Sequence, residues 1–117
     1  TVAPTTTVAP TTTVAPTTTV SESAGERNAR ESAASYLEYS AFSRSGLVEQ
    51  LEYEGFTTAQ AEYGTDAQNA DWNEQAALSA ASYLEYSAFS RSGLVEQLKY
   101  EGFTTAQAEY GATAVGL

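Results

Sequence analysis

The side chains of this 117-residue chain that could do chemistry are tyrosines, carboxylates, serines and a few cations, and most of them occur twice. Residues Ser32–Gly64 and Ser79–Gly111 match over 33 positions except at one, where Glu52 becomes Lys99. A catalytic set is hard to assemble from them. The chain has no His and no Cys, Lys99 is its sole lysine, and no Gly-rich phosphate loop occurs. The abundant Ser hydroxyls therefore have no candidate base of the usual kind. The acids stand singly along helical faces without the alternating Asp/Asn spacing of a calcium loop, and read as solvated surface. No catalytic residue, cofactor site or metal site is expected.

What the duplication carries in excess is aromatic residues: Tyr36, Tyr39, Phe42, Tyr53, Phe56 and Tyr63, each repeated in the second copy. Projected at about 100° per residue, Tyr53 falls opposite the Leu47/Val48/Leu51 stripe and Tyr39 toward the edge of its helix. Tyrosine joins a large apolar area to a polar tip and is enriched at interfaces, so Tyr39, Tyr53, Tyr86 and Tyr100 are candidate contacts for a protein partner. The competing reading has them cover the other repeat or lie flat on their own surface. Arg44 and Arg91 each follow an N-cap serine, where a cation meets the positive end of the helix dipole. Either an ion pair with a nearby Glu or a partner's carboxylate compensates. Lys99, the one place where the copies can be told apart, completes the candidate set.

These side chains need helices to hold them, and the caps are legible. Ser23-Ala24-Gly25-Glu26 fits a capping box, opening a helix that is expected to run to about Phe42 with Ala33, Tyr36, Leu37, Ser40 and Ala41 on one face. Ser43 caps a second helix. Gly55 suits its left-handed C′ position, and Phe56 the C″ position that packs back on Leu51. Thr57-Thr58-Ala59-Gln60 is a further capping box, for a third helix through Tyr63. The second copy repeats this grammar, with Asp71-Trp72-Asn73-Glu74 as a capping box, Gly102-Phe103 as the stop and a last helix from Thr104 that frays before Gly116. The fold class is all-α: two tandem three-helix, helix-turn-helix-like repeats at 23–68 and 69–117. Residues 1–22, built on TVAPTT written three times, form a disordered, extended Thr/Pro-rich stalk open to O-glycosylation.

Charge restricts the partner. The net charge is −10 and the pI about 4.1, a balance that repels phosphates and anionic headgroups. The candidate recognition helices, Thr58–Tyr63 and Thr105–Tyr110, hold no Lys or Arg, so DNA binding by the helix-turn-helix shape is not expected. No run of about 18 apolar residues exists to span a bilayer.

The pattern Ser-Tyr-Leu…Phe-Ser-Arg-Ser-Gly-Leu…Gln-Leu…Glu-Gly-Phe…Gln-Ala-Glu-Tyr-Gly, together with Asp-Trp-Asn-Glu-Gln at 71–75, resembles the host cell surface-exposed lipoproteins, the Ltp-type superinfection-exclusion proteins of Gram-positive bacteria and their temperate phages. The likeness covers residues 26–117. It implies a protein on the outer face of the cell membrane, lipid-anchored through a Cys upstream of Thr1; a monomer is expected. It also implies tandem repeats on a flexible stalk that engage a phage tail or injection component and keep a second phage from delivering its DNA. The alternative is a cell-envelope binding or spacer protein with no antiphage role.

Overall fold

The computed structural model describes residues 21–117; the Thr/Val/Ala/Pro segment 1–20, with its expected stalk geometry, lies outside the described residues. Six helices follow in order: α1 (Ala24–Tyr39), α2 (Arg44–Tyr53) and α3 (Thr58–Asp66) form a first unit, and α4 (Trp72–Tyr86), α5 (Arg91–Tyr100) and α6 (Thr105–Ala114) a second. No strand occurs among the described residues.

Local chemistry sets most of the boundaries. Ser23 Oγ accepts from the Glu26 N–H at 3.0 Å while the Glu26 carboxylate accepts from the Ser23 N–H at 2.9 Å, and Thr57/Gln60 and Thr104/Gln107 form the same reciprocal boxes. Asp71 makes only half of one: its carboxylate accepts from the N–H groups of Asn73 and Glu74, with no return bond from Glu74. Gly55 and Gly102, both at φ +106°, close α2 and α5. There the N–H of Phe56 and of Phe103 reaches back to the carbonyls of Leu51 and Leu98, both at 3.2 Å.

Three boundaries differ from the sequence expectation. Helix α1 stops at Tyr39 and not at Phe42, because Ser40 is extended (φ −157°, ψ 159°) and the chain folds back to set the Phe42 ring edge-on to Tyr36 at 5.6 Å. Ser40 and Ala41 therefore lie in a loop and not on the α1 face. Helix α3 continues past Tyr63 to Asp66. The last helix does not fray: Gly116 takes φ +93°, and the Leu117 N–H bonds the Ala112 carbonyl at 2.9 Å, a third closure of the α2 and α5 type.

Each core is small. In the first unit Leu47, Val48 and Leu51 meet Ala33 and Ala61; in the second Leu94, Val95, Leu98 and Phe103 meet Ala76, Ala80, Ala108 and Ala112. So many alanines close a core only if the helix backbones come near one another. Gly64 of α3 lies against Ala29 of α1, where a Cβ would sit 2.6 Å from the Ala29 carbonyl carbon; Gly111 lies against Ala76 in the same way, 2.8 Å from its carbonyl oxygen. Atoms that belong to a backbone cannot step aside.

Gly64→Ala or Gly111→Ala is therefore expected to force the helix pair apart and lower stability by about 2–3 kcal/mol in denaturant unfolding. The opposite sign is expected one residue on. Thr65 Oγ1 is buried without a hydrogen-bond partner among the described residues, and the second unit has Ala112 in its place. Thr65→Val keeps the volume, removes the orphaned hydroxyl and should raise stability by about 1 kcal/mol.

Candidate functional site

The two units meet end to end at the loop before α2. Ser43, the N-cap of α2, is 2% exposed; its Oγ accepts from the Gly46 N–H at 2.9 Å and donates to the Glu101 carbonyl at 2.6 Å. Ser45 Oγ donates to the Gly102 carbonyl at 3.0 Å, and the Phe42 N–H donates to Gln75 Oε1 at 3.0 Å. Trp72, at the start of α4, packs on the first unit's core. The carbonyls of the two residues that follow α5, Glu101 and Gly102, thus face the first turn of α2, partial negative against partial positive.

Tyr39 and Tyr86 are 88% exposed, and Tyr53 and Tyr100 87% exposed. The structure therefore keeps all four off the core and off the other unit. Three of them border clefts along the junction. Tyr100 lines a cleft of about 410 Å³ with Phe42, Glu49, Tyr83 and Glu101; Tyr86 lines one of about 210 Å³ with Ser40 and Ala41; Tyr39 lines one of about 350 Å³ with Leu78, Ser82 and Glu85. Tyr53 holds in the first unit the position that Tyr100 holds in the second. The neighbouring Tyr36 and Tyr83 are structural: each hydroxyl accepts from the amide of Gln50 or Gln97, and each ring meets the following Phe edge-on.

The cations divide. Arg44 makes a two-pronged ion pair, but with Asp66 and not with a Glu: Nε to Oδ1 at 2.7 Å and Nη2 to Oδ2 at 2.9 Å. Hydrogen bonding to that guanidinium holds the Asp66 carboxyl below its ordinary range. In the second unit Thr113 stands where Asp66 does, so Arg91 donates only to its hydroxyl, at 3.1 Å, and keeps its charge exposed. Lys99 lies 3.5 Å from Glu96 one turn back, whereas Glu52 accepts a bond from the Thr58 hydroxyl. No cluster among the described residues could hold a metal ion, and no described helix is long and apolar enough to cross a membrane.

Sequence reasoning missed two features. One is the docking role of Ser45, Gln75 and Glu101; its only trace was a second serine in Phe-Ser-Arg-Ser-Gly that no cap requires. The other is a network before α1, where Arg30 forks onto Glu22 at 2.7 and 2.9 Å and the Tyr63 hydroxyl donates to the same carboxylate at 2.7 Å. Those bonds, Arg30's above all, hold the Glu22 carboxyl down at about 2. Burial at the junction pushes Glu101 the other way, above its ordinary value.

A family model described as "host cell surface-exposed lipoprotein" (Ltp) matches residues 25–67 and again 71–115. Among solved structures, that of Ltp, a superinfection exclusion protein from the Streptococcus thermophilus temperate phage TP-J34, superposes with a TM-score of 0.72 at 24% identity, covering 78% of this chain and 95% of that one. No curated protein sequence matches significantly.

Two measurements test the junction. Gly55→Ala and Gly102→Ala share the same positive φ, an expected cost of about 1–2 kcal/mol each. A Cβ at Gly55 meets open space, whereas at Gly102 it would run into the Ser45 and Ser43 hydroxyls. Only Gly102→Ala should also undock the units, seen as a red shift in the emission of Trp72, the sole tryptophan. Acid titration separates the two carboxyls. Glu22, depressed in the folded chain, contributes stability that is present above the unfolded value of 4.5 and lost as pH falls toward about 2. Glu22→Gln should remove that acid dependence. Glu101, raised in the folded chain, destabilises increasingly as pH climbs past its unfolded value, so Glu101→Gln should stabilise at pH ~7.

Proposed function

Because this chain belongs to the host cell surface-exposed lipoprotein family, whose model matches both of its units, we propose that it is a non-enzymatic, lipid-anchored binding module on the bacterial surface that blocks phage DNA injection. The observation that carries the binding reading is the set of four tyrosines, Tyr39, Tyr53, Tyr86 and Tyr100, each at least 87% exposed and repeated on both units, three of them (Tyr39, Tyr86 and Tyr100) bordering the junction clefts. A folded domain gains nothing for its own core from rings held in water, whereas a protein partner that covers them gains large, rigid apolar area. Arg91, exposed and without a carboxylate partner among the described residues, adds a fork suited to an acidic group on that partner.

The negative surface fits a protein target better than nucleic acid. Helices α3 and α6, which occupy the place of recognition helices, carry acids and no basic residue. The family's surface lipoproteins and the superposing phage superinfection exclusion protein support placing the action where a phage delivers its DNA. A protein partner in the tail or injection machinery is the reading that joins these facts.

Expression of the anchored precursor in a susceptible host should leave phage adsorption normal and suppress DNA entry. Replacing Tyr39, Tyr53, Tyr86 and Tyr100 together by Ala should restore entry by at least tenfold, while the unfolding midpoint of the purified chain stays within about 1 kcal/mol of the parent, as surface changes do. Unchanged DNA entry in the presence of the parent protein would discard the antiphage role for the phages tested. A pull-down from uninfected envelopes that depends on Tyr53 and Tyr100 would then favour an envelope-binding role.

A further inference from the structure

The junction between the units is a head-to-tail contact, and the near-identity of the units means that each supplies both halves of it. The first unit gives its loop Ser40–Ser43; the second gives the groove between α4 and the end of α5, lined by Ser79, Ser82, Tyr83, Tyr86 and Glu101. Each unit therefore has one half left over. On the first unit the matching groove, lined by Ser32, Ser35, Tyr36, Tyr39 and Glu54, is open over about 450 Å³, and no described segment covers it. On the second unit no described segment covers the matching loop Ser87–Ser90. Ser90 is exposed where Ser43 is buried, Ala88 is exposed where Ala41 is half-buried, and the Ser90 and Ser92 hydroxyls lie 3.4 Å from each other with no carbonyl to meet.

We propose that the open groove of the first unit takes the Ser87–Ser90 loop of a second copy of this chain, repeating between molecules the contact made within one. Ser90 then donates to the Glu54 carbonyl and Ser92 to the Gly55 carbonyl, as Ser43 and Ser45 do to Glu101 and Gly102. Gly55 is ready for that approach, with nothing within 4 Å of where its Cβ would be. Such a contact is heterologous and does not close on itself, so it builds rows of copies and not a symmetric dimer.

Two differences make the contact between molecules weaker than the one within. Asn28 stands where Gln75 accepts the Phe42 N–H and falls one methylene short, and Gly25 stands where Trp72 packs. With −10 on every copy, repulsion opposes assembly and added salt favours it. Residues 1–20 are a poor rival for the groove, since they contain only Thr, Val, Ala and Pro and no Phe-Ser element. This assignment departs from the expected monomer, and it stands whether or not the antiphage reading does.

Sedimentation of the full 117-residue chain over rising concentration tests it. The average mass should grow into the high-micromolar range, more so with added salt. Asn28→Gln should tighten association by about 2- to 10-fold, the effect of one recovered hydrogen bond. Ser35→Arg fills the groove and Ala88→Arg blocks the loop, so each variant alone should be monomeric. Their equimolar mixture should form one-to-one dimers and nothing larger, because one keeps a working loop and the other a working groove; that rescue also shows that both are folded. The proposal is overturned if parent and Asn28→Gln both stay monomeric throughout, or if growth in mass persists in the two blocked variants. Cross-links that place residues 1–20 or another protein in the groove of a monomeric chain would overturn it too.

Discussion

Everything in this fold rests on how closely two helix backbones approach. Each unit has two leucines and a valine at the centre of its core, too little apolar volume to hold three helices at ordinary separation. Gly64 against Ala29, and Gly111 against Ala76, remove the side chains that would keep the first and third helices apart. The second helix then has a closed surface to cover, and its Leu-Val-Leu stripe is enough to cover it. Only after that packing is in place can the loop before α2 or α5 be set by the Tyr–Phe edge contact, and the docking contact made from that loop.

Two units of nearly one sequence do not have one environment, and the differences trace to the junction, to the few residues outside the repeat and to the one substitution within it. Phe103 is 3% exposed, whereas Phe56 is only partly buried. Burial lifts Glu101 above its ordinary value. Arg44 has a carboxylate and Arg91 a hydroxyl because the repeat ends at Gly64 and Gly111, just short of Asp66 and Thr113. The single substitution inside the repeat acts locally: Glu52 ties α2 to the start of α3 through Thr58, and Lys99 turns back along α5 toward Glu96.

What the sequence made legible was whatever is decided within about four residues. The capping boxes, the left-handed glycines after α2 and α5 and the solvent-facing projection of Tyr53 depend on local hydrogen bonds and helical period. The end of α1 was misplaced because it turns on a contact between Tyr36 and Phe42 that competes with three more residues of helix. Gly64 falls just past the helix expected to end at Tyr63, and its purpose appears only when Ala29 is seen beneath it. Arg44 signalled that something compensates it, yet Asp66 lies 22 residues away and after the repeat, where no periodicity points.

The candidate site was legible in part for the same reason. Exposure of the four tyrosines follows from helical projection, so their identities came from sequence; the placing of Tyr39, Tyr86 and Tyr100 along clefts follows from docking, which did not. Duplication sharpened the tyrosine argument but hid the docking one, because identical copies invite the expectation of two independent faces. The contact that forms is asymmetric, loop of one unit into groove of the other, and it consumes one loop and one groove while leaving the others as they were. Two tandem copies therefore do more than double a binding face. They fix Tyr86 and Tyr100 beside a filled groove and Tyr39 at an open one, so a partner meets two chemically matched but sterically different surfaces on a single chain.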